Sequence, residues 1–183
     1  NEIVSGIVDE PSFVWEFAPL EQFSVLPNLD MFIIGITEQC NLRCTYCCYS
    51  GNYVNKRSHN TVSMNTDDVD DILLFIGSFT SNRPIKIFLY GGEPLLNYNI
   101  VQYAIEKSRK QWDNDVSFTI STNGTTLTKE RIDWLVANNV VLALSIDGTK
   151  PFHDSYRVDA QGNGSYTRVY DALKYIKTTY PEY

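Results

Sequence analysis

From residue 31 onward, apolar runs and apolar stripes take turns along the chain. Met31–Ile36 is a continuous apolar run, which predicts a strand buried on both faces of a parallel sheet. Residues 67–79 instead repeat their apolar positions at helical spacing. Val69, Ile72, Leu73 and Ile76 form one stripe, Thr66 is placed to cap it, and Asp67 and Asp68 suit the positive end of a helix. Ile85–Tyr90 predicts a second strand, ending in Gly91-Gly92, and Tyr98–Lys110 a second helix. Val116–Ser121 predicts a third strand, ending in Thr122-Asn123-Gly124. Thr128 then caps a helix through about Ala137, with Ile132, Leu135 and Val136 inward. Val140–Ile146 predicts a fourth strand, ending in Asp147-Gly148. Ser165 caps a last helix with Val169, Leu173 and Ile176 on one face.

This order predicts an α/β fold in which right-handed crossovers build a parallel sheet with helices outside. In such sheets and barrels, sites assemble at the carboxyl ends of the strands. The polar and glycine-rich strand ends therefore converge on one rim. Residues 1–30 do not follow the alternation. Phe13, Trp15, Phe17, Leu20, Phe23 and Leu26 are too apolar for a disordered tail. They predict an extension packed on the main domain or the end of a preceding one. Pro27-Asn28 marks the boundary, leaving residues 31–183 as the main domain.

Length and composition narrow the picture. The chain's 183 residues suffice for one domain with a sizeable core, and 43% apolar content fits a soluble globular protein. No apolar run is long enough to span a membrane. Glu2, Asp9 and Glu10 leave no basic segment for a signal peptide, so the cytoplasm is the default compartment. The lack of an initiator Met implies residues before Asn1. The net charge is -7 and no dense Lys/Arg cluster is present, which weighs against a nucleic-acid partner.

All four cysteines fall between positions 40 and 48, unlike a disulfide framework spread along a secreted chain. Cys40, Cys44 and Cys47 form a C-x3-C-x2-C pattern directly after the first strand. Thiolates are the usual ligands of iron–sulfur clusters, and three ligands for four irons leave one iron open to a substrate. Two other readings of the spacing stay open. One is a zinc knuckle, with Cys48 or His59 as fourth ligand, although Cys48 in an extended segment would face away from Cys47 into the barrel wall. The other is a set of reduced, buried cysteines without metal.

Taken together, the motifs resemble the radical S-adenosylmethionine (SAM) superfamily. The resemblance rests on Cys40, Cys44 and Cys47 with Tyr46 before the third cysteine, and on Gly91-Gly92-Glu93-Pro94 after the second strand. It extends to Ser121-Thr122-Asn123-Gly124, Ser145-Ile146-Asp147-Gly148 and His153-Asp154-Ser155-Tyr156-Arg157, covering about Met31 to Ile176. The last combination is similar to the branch of peptide maturases and anaerobic sulfatase-maturing enzymes, which often carry a C-terminal auxiliary-cluster (SPASM) domain. Family barrels have six βα units. Only four are visible here, without a C-terminal cysteine-rich region, so the expected fold is a partial parallel (β/α) barrel whose fourth strand has an unpaired edge.

The resemblance implies a [4Fe-4S] cluster on Cys40, Cys44 and Cys47, with SAM chelated at the open iron. Reductive cleavage of SAM would yield a 5′-deoxyadenosyl radical that takes a hydrogen atom from the substrate. It implies that Gly91 and Gly92 let the backbone approach the ligand, that Glu93 meets the SAM ammonium, and that Pro94 holds the turn. Ser121, Thr122 and Asn123 would lie near the ribose or the substrate, and Ser145 near the ribose or carboxylate. Asp147 either joins that set or caps the turn before Gly148. Arg157 would pair with the SAM carboxylate, Tyr46 would sit beside the adenine, and His153 would be structural. The implied activity is that of a peptide maturase forming a crosslink on a peptide or protein, supplied with electrons by a reductant such as flavodoxin or ferredoxin. The enzymatic rival oxidises a cysteine or serine of a sulfatase to formylglycine. A rival of another class is a non-catalytic zinc or iron–sulfur interaction module.

Overall fold

Strands and helices alternate as the periodicity predicts. The structure is a computed structural model that describes residues 29–54, 57–79, 84–112 and 115–183; the reading of residues 1–28 lies outside them. The order is β1 (Met31–Thr37), α1 (Thr66–Phe79), β2 (Ile85–Gly91), a 3-10 turn (Pro94–Asn97), α2 (Tyr98–Gln111), β3 (Val116–Thr122), α3 (Lys129–Ala137), β4 (Val140–Leu144), α4 (Lys150–Tyr156) and α5 (Tyr166–Thr179). The strands form one parallel sheet in the order β1-β2-β3-β4. Among the described residues, four βα units are thus present. No helix among them is long and apolar enough to cross a membrane.

The helices pack on one face of the sheet. Ile34 and Ile36 of β1, Ile87 and Leu89 of β2, and Phe118 and Ile120 of β3 meet Leu73 and Ile76 of α1 and Val101 and Ile105 of α2 in a single buried cluster. A second cluster joins Ile132 of α3 to Ala172 and Ile176 of α5. The expectation that β1 is buried on both faces is corrected: Met31 is 52% and Ile33 72% exposed. They alternate with buried Ile34 and Ile36 because side chains along a strand point to opposite faces. Among the described residues, helices cover one of those faces of the four-stranded sheet.

Two caps also differ from expectation. Asn65, not Thr66, caps α1: its side chain accepts from the backbone N–H of Asp67 and Asp68, and Asp68 accepts from the Asn65 N–H in return. Ser165 does not cap α5, because its hydroxyl is bound to His153 and to the Arg157 carbonyl. Asp154 of α4 accepts from the Tyr166 N–H in its place. The fourth strand stops at Leu144, although the Ser145 N–H still reaches the Thr122 carbonyl. The edge of β4 is not wholly unpaired. The Tyr183 hydroxyl takes the Leu142 N–H at 3.0 Å and donates to the Val140 carbonyl.

Glu93 fastens the ends of β2 and β3 together. It is fully buried, and burial raises its pKa, opposed by three donors. One carboxylate oxygen accepts from the Leu95 N–H at 3.1 Å and the Thr122 hydroxyl at 2.7 Å, and the other accepts from the Asn123 N–H at 2.7 Å. Replacing Glu93 with Ala orphans all three donors, so the variant is expected to lose about 3 kcal/mol or more of stability in chemical denaturation. Glu93→Gln keeps the shape and most of the bonds and is expected to lose less than half of that. Equal midpoints for Glu93→Ala and wild type would refute the fastening role.

Candidate functional site

The cysteine loop leaves β1 under close guidance. Pairing between β1 and β2 shifts register at Gly35/Thr37, and there the Gly92 N–H meets the Thr37 carbonyl at 2.8 Å and the Glu93 N–H the Gln39 carbonyl at 2.7 Å. A Cβ on Gly91 would lie 2.2 Å from the Thr37 carbonyl oxygen, and one on Gly92 2.1 Å from that of Gln39. Gly91 also has φ +144. The glycine pair is therefore required by contact with the loop's own backbone.

The far side of the loop is held by the last residue of α4 and the segment that follows it. The Arg43 N–H donates to the Val158 carbonyl at 2.6 Å and the Thr45 N–H to the Tyr156 carbonyl at 3.0 Å. The Arg43 guanidinium folds back onto the carbonyls of Cys40 and Leu42, both at 2.7 Å. Asp147, just beyond β4, accepts from the Tyr46 hydroxyl and from Arg157 Nε at 2.9 Å. Burial works to raise the Asp147 pKa, but these two donors outweigh it and hold the carboxyl below its ordinary value. The Tyr46 hydroxyl is pushed far above its ordinary range by burial and by the bond to Asp147.

These contacts frame a cavity of about 310 Å³ at the carboxyl end of the sheet. Cys40, Cys44 and Cys47 line it together with Tyr46, Gly91 and Gly92. Ser121, Thr122 and Asn123 from the end of β3, and Ser145 and Arg157 from beyond β4, complete the wall. Burial raises the pKa of the Cys40 and Cys44 thiols, so on their own they stay protonated at neutral pH. A bound cationic centre would reverse that. The Cys40 sulfur accepts from the Leu42 N–H at 3.4 Å, and the Cys47 sulfur from the Tyr49 N–H at 3.4 Å.

The donor set suits a group larger than one ion. Among the described residues, no three His, Cys, Asp or Glu side chains are drawn together to hold a single metal ion. A four-iron cluster takes each thiolate at a separate corner. Three half-buried thiols on one cavity wall, with backbone N–H groups aimed at two of the sulfurs, fit the cluster.

The structure redistributes several expected roles. Glu93 and Pro94 lie outside the cavity wall, and both carboxylate oxygens of Glu93 are turned inward, so it does not face a ligand there. Thr122 is 2% exposed, with its hydroxyl given to Glu93. Asn123 bridges β3 to the cysteine loop: its amide nitrogen donates to Asn41 at 2.9 Å and lies 3.9 Å from the Cys40 sulfur. Asp147 is set behind the wall, holding Arg157 and Tyr46. Cys48 is exposed and on the cavity, not turned into the barrel wall, because Cys47 and Cys48 lie in a turn and not in an extended segment. His153 is fully buried between the Asp147 N–H and Ser165, the structural role expected of it.

Tyr49, His59 and Tyr90 also line the cavity, and no sequence motif marks them. His59 Nε2 lies 3.6 Å from the Cys47 sulfur. Burial, then the charges of Arg43 and Arg57, lower the His59 pKa. Tyr90 could have been found as the last β2 residue before the glycines on the sheet face away from the helices. His59 carries no such signal.

Comparison with known proteins gives a consistent answer. The chain matches the Radical SAM superfamily over residues 34–181. It is 29% identical to the cysteine-type anaerobic sulfatase-maturating enzyme of Clostridium novyi (strain NT), over 86% of this chain and 43% of that protein. It is 32% identical to the GTP 3',8-cyclase of Haemophilus influenzae (strain 86-028NP), over 66% of this chain and 34% of that protein. Among solved structures, native anSMEcpe with bound AdoMet and Cp18Cys peptide superposes with a TM-score of 0.70 at 26% identity, over 81% of this chain and 40% of that one. The chain thus spans under half the length of these relatives. With that match extending over most of the parallel sheet and its cysteine loop, the chain belongs to the radical SAM superfamily, whose cofactors are a [4Fe-4S] cluster and S-adenosylmethionine.

Proposed function

We propose that residues 31–183 are the cofactor-binding part of a radical SAM enzyme that takes a hydrogen atom from a peptide or protein substrate. The observation that carries this reading is the meeting of three thiols, two strand-end glycines and Arg157 on one cavity. When bound, the cluster and SAM supply the electron and the hydrogen-abstracting radical. The protein's part is to hold, orient and exclude water. Cys40, Cys44 and Cys47 would hold the cluster. Arg157, with Nε already committed to Asp147, has its terminal nitrogens left for the SAM carboxylate. Gly91 and Gly92 would offer backbone to the SAM amine, Ser145 and Ser121 hydroxyls to the sugar, and Tyr46 its ring to the adenine.

Of the two peptide chemistries, oxidation of a cysteine or serine to formylglycine is favoured over crosslink formation. The support is a relative named as a cysteine-type sulfatase-maturating enzyme and a structural neighbour holding a peptide. Electrons would come from a small reductant protein such as flavodoxin or ferredoxin. Four βα units alone are expected to be inactive, so the test is an anaerobic assay of the iron-loaded protein in its full natural length with SAM and dithionite, following 5′-deoxyadenosine with and without a cysteine-containing sulfatase peptide. Stimulation by the peptide is expected. Stimulation by GTP and not by peptide would move the substrate class to nucleotides.

Two sets of variants probe the site itself. Replacing Cys40, Cys44 or Cys47 with Ala is expected to abolish iron loading, measured as iron and sulfide per chain, while Cys48→Ala keeps most of it. The ligand assignment is wrong if Cys48→Ala loses the iron and Cys47→Ala retains it. Arg157→Ala is expected to keep its iron but bind SAM about tenfold or more weakly in anaerobic calorimetry, the loss of one charged hydrogen bond. Unchanged SAM affinity would remove Arg157 from the carboxylate site.

A further inference from the structure

Cys40 and Cys47 are equipped alike in one respect: each sulfur accepts the backbone N–H two residues on, Leu42 and Tyr49, at 3.4 Å in both cases. Each sulfur also has a side-chain neighbour, and that of Cys47 is the nearer. His59 Nε2 stands 3.6 Å from its sulfur, within hydrogen-bond reach for a sulfur acceptor. The imidazole does not reach there by accident of a swinging side chain. The His59 N–H donates to the Tyr49 carbonyl at 3.0 Å and ties the two segments together, while the Ser50 N–H closes the turn that carries the sulfur by donating to the Cys47 carbonyl at 3.0 Å. The Tyr49 ring lies 6.5 Å from the imidazole, and Arg57 stacks over that ring at 3.7 Å.

We propose that His59 is a hydrogen-bond donor to the Cys47 thiolate that raises the reduction potential of the cluster. The inference rests on the reading of Cys47 as a cluster ligand. A ligating thiolate has no proton to give, so the nitrogen facing it must carry the hydrogen. Hydrogen bonds to the sulfurs of an iron–sulfur cluster are one of the means by which a protein sets its potential, because they favour the more negative, reduced state. Asn123 lies near the Cys40 sulfur at 3.9 Å, but its amide is shared with Asn41 at 2.9 Å, so His59 is the better-placed side-chain donor.

The test compares wild type, His59→Leu and His59→Gln, each loaded anaerobically and titrated electrochemically without SAM, with the reduced cluster followed by electron paramagnetic resonance. His59→Leu is expected to take up the same iron but to be about tenfold harder to reduce, which for one electron is 59 mV more negative. His59→Gln, which keeps an N–H, is expected to stay near wild type. Equal potentials for all three would overturn the assignment while leaving the cluster reading intact. A wild-type chain that takes up no iron would overturn both. Should His59→Leu fail to fold, the wild-type protein still decides. The chain has 2 histidines, and His153 is committed to Asp147 and Ser165. With 15N-labelled histidine, pulsed resonance of the reduced cluster is expected to show a weak nitrogen coupling that His59→Gln abolishes. Its absence, or the strong coupling of a direct iron–nitrogen bond, would refute the hydrogen bond.

Discussion

The contact of Gly91 and Gly92 with the carbonyls of Thr37 and Gln39 fixes where the cysteine loop leaves the sheet, and the site depends on it. At 2.1–2.2 Å from those oxygens no Cβ can be placed, so any side chain here would push the loop away from β2. From that point the loop needs support, because from residue 38 to 54 it has no helix or strand of its own. Support comes from backbone pairing with Val158 and Tyr156 and from the Tyr46–Asp147–Arg157 contact. The three cysteines that line the cavity are thus positioned by elements on which none of them lies.

The same logic separates holding from binding at the strand ends. Glu93, Thr122 and Asn123 belong to one buried hydrogen-bonded group joining β2, β3 and the cysteine loop. A buried carboxylate with three donors is a strong fixing point, and its loss would be felt at Cys40 through Asn123. Arg157 is divided between the tasks: one nitrogen is anchored by Asp147, and the guanidinium still borders the cavity.

Much of this was legible in the sequence. Strand and helix order followed from apolar spacing, because each element packs one face on a shared core. The cysteine pattern and the strand-end motifs that meet at the cavity were readable because short chemical patterns survive without knowledge of contacts. Three things were not. The exposure of Met31 and Ile33 depends on what covers the second sheet face, which an apolar run cannot report. The inward turn of Glu93 depends on the Thr122 hydroxyl and Asn123 N–H, about thirty residues away in sequence. The places of His59 and Cys48 depend on how the loop folds back on itself, and nothing in the spacing of their neighbours encodes that.

The support of the cysteine loop by residues 147–158 has a consequence for biosynthesis. Tyr46 and Asp147 are separated by 101 positions. Closing so long a span carries an entropic cost that only contacts among the intervening units can offset. On a ribosome the cysteines emerge well before the segment that clamps them, at about 5–20 residues per second. For several seconds the thiols are therefore present without their clamp.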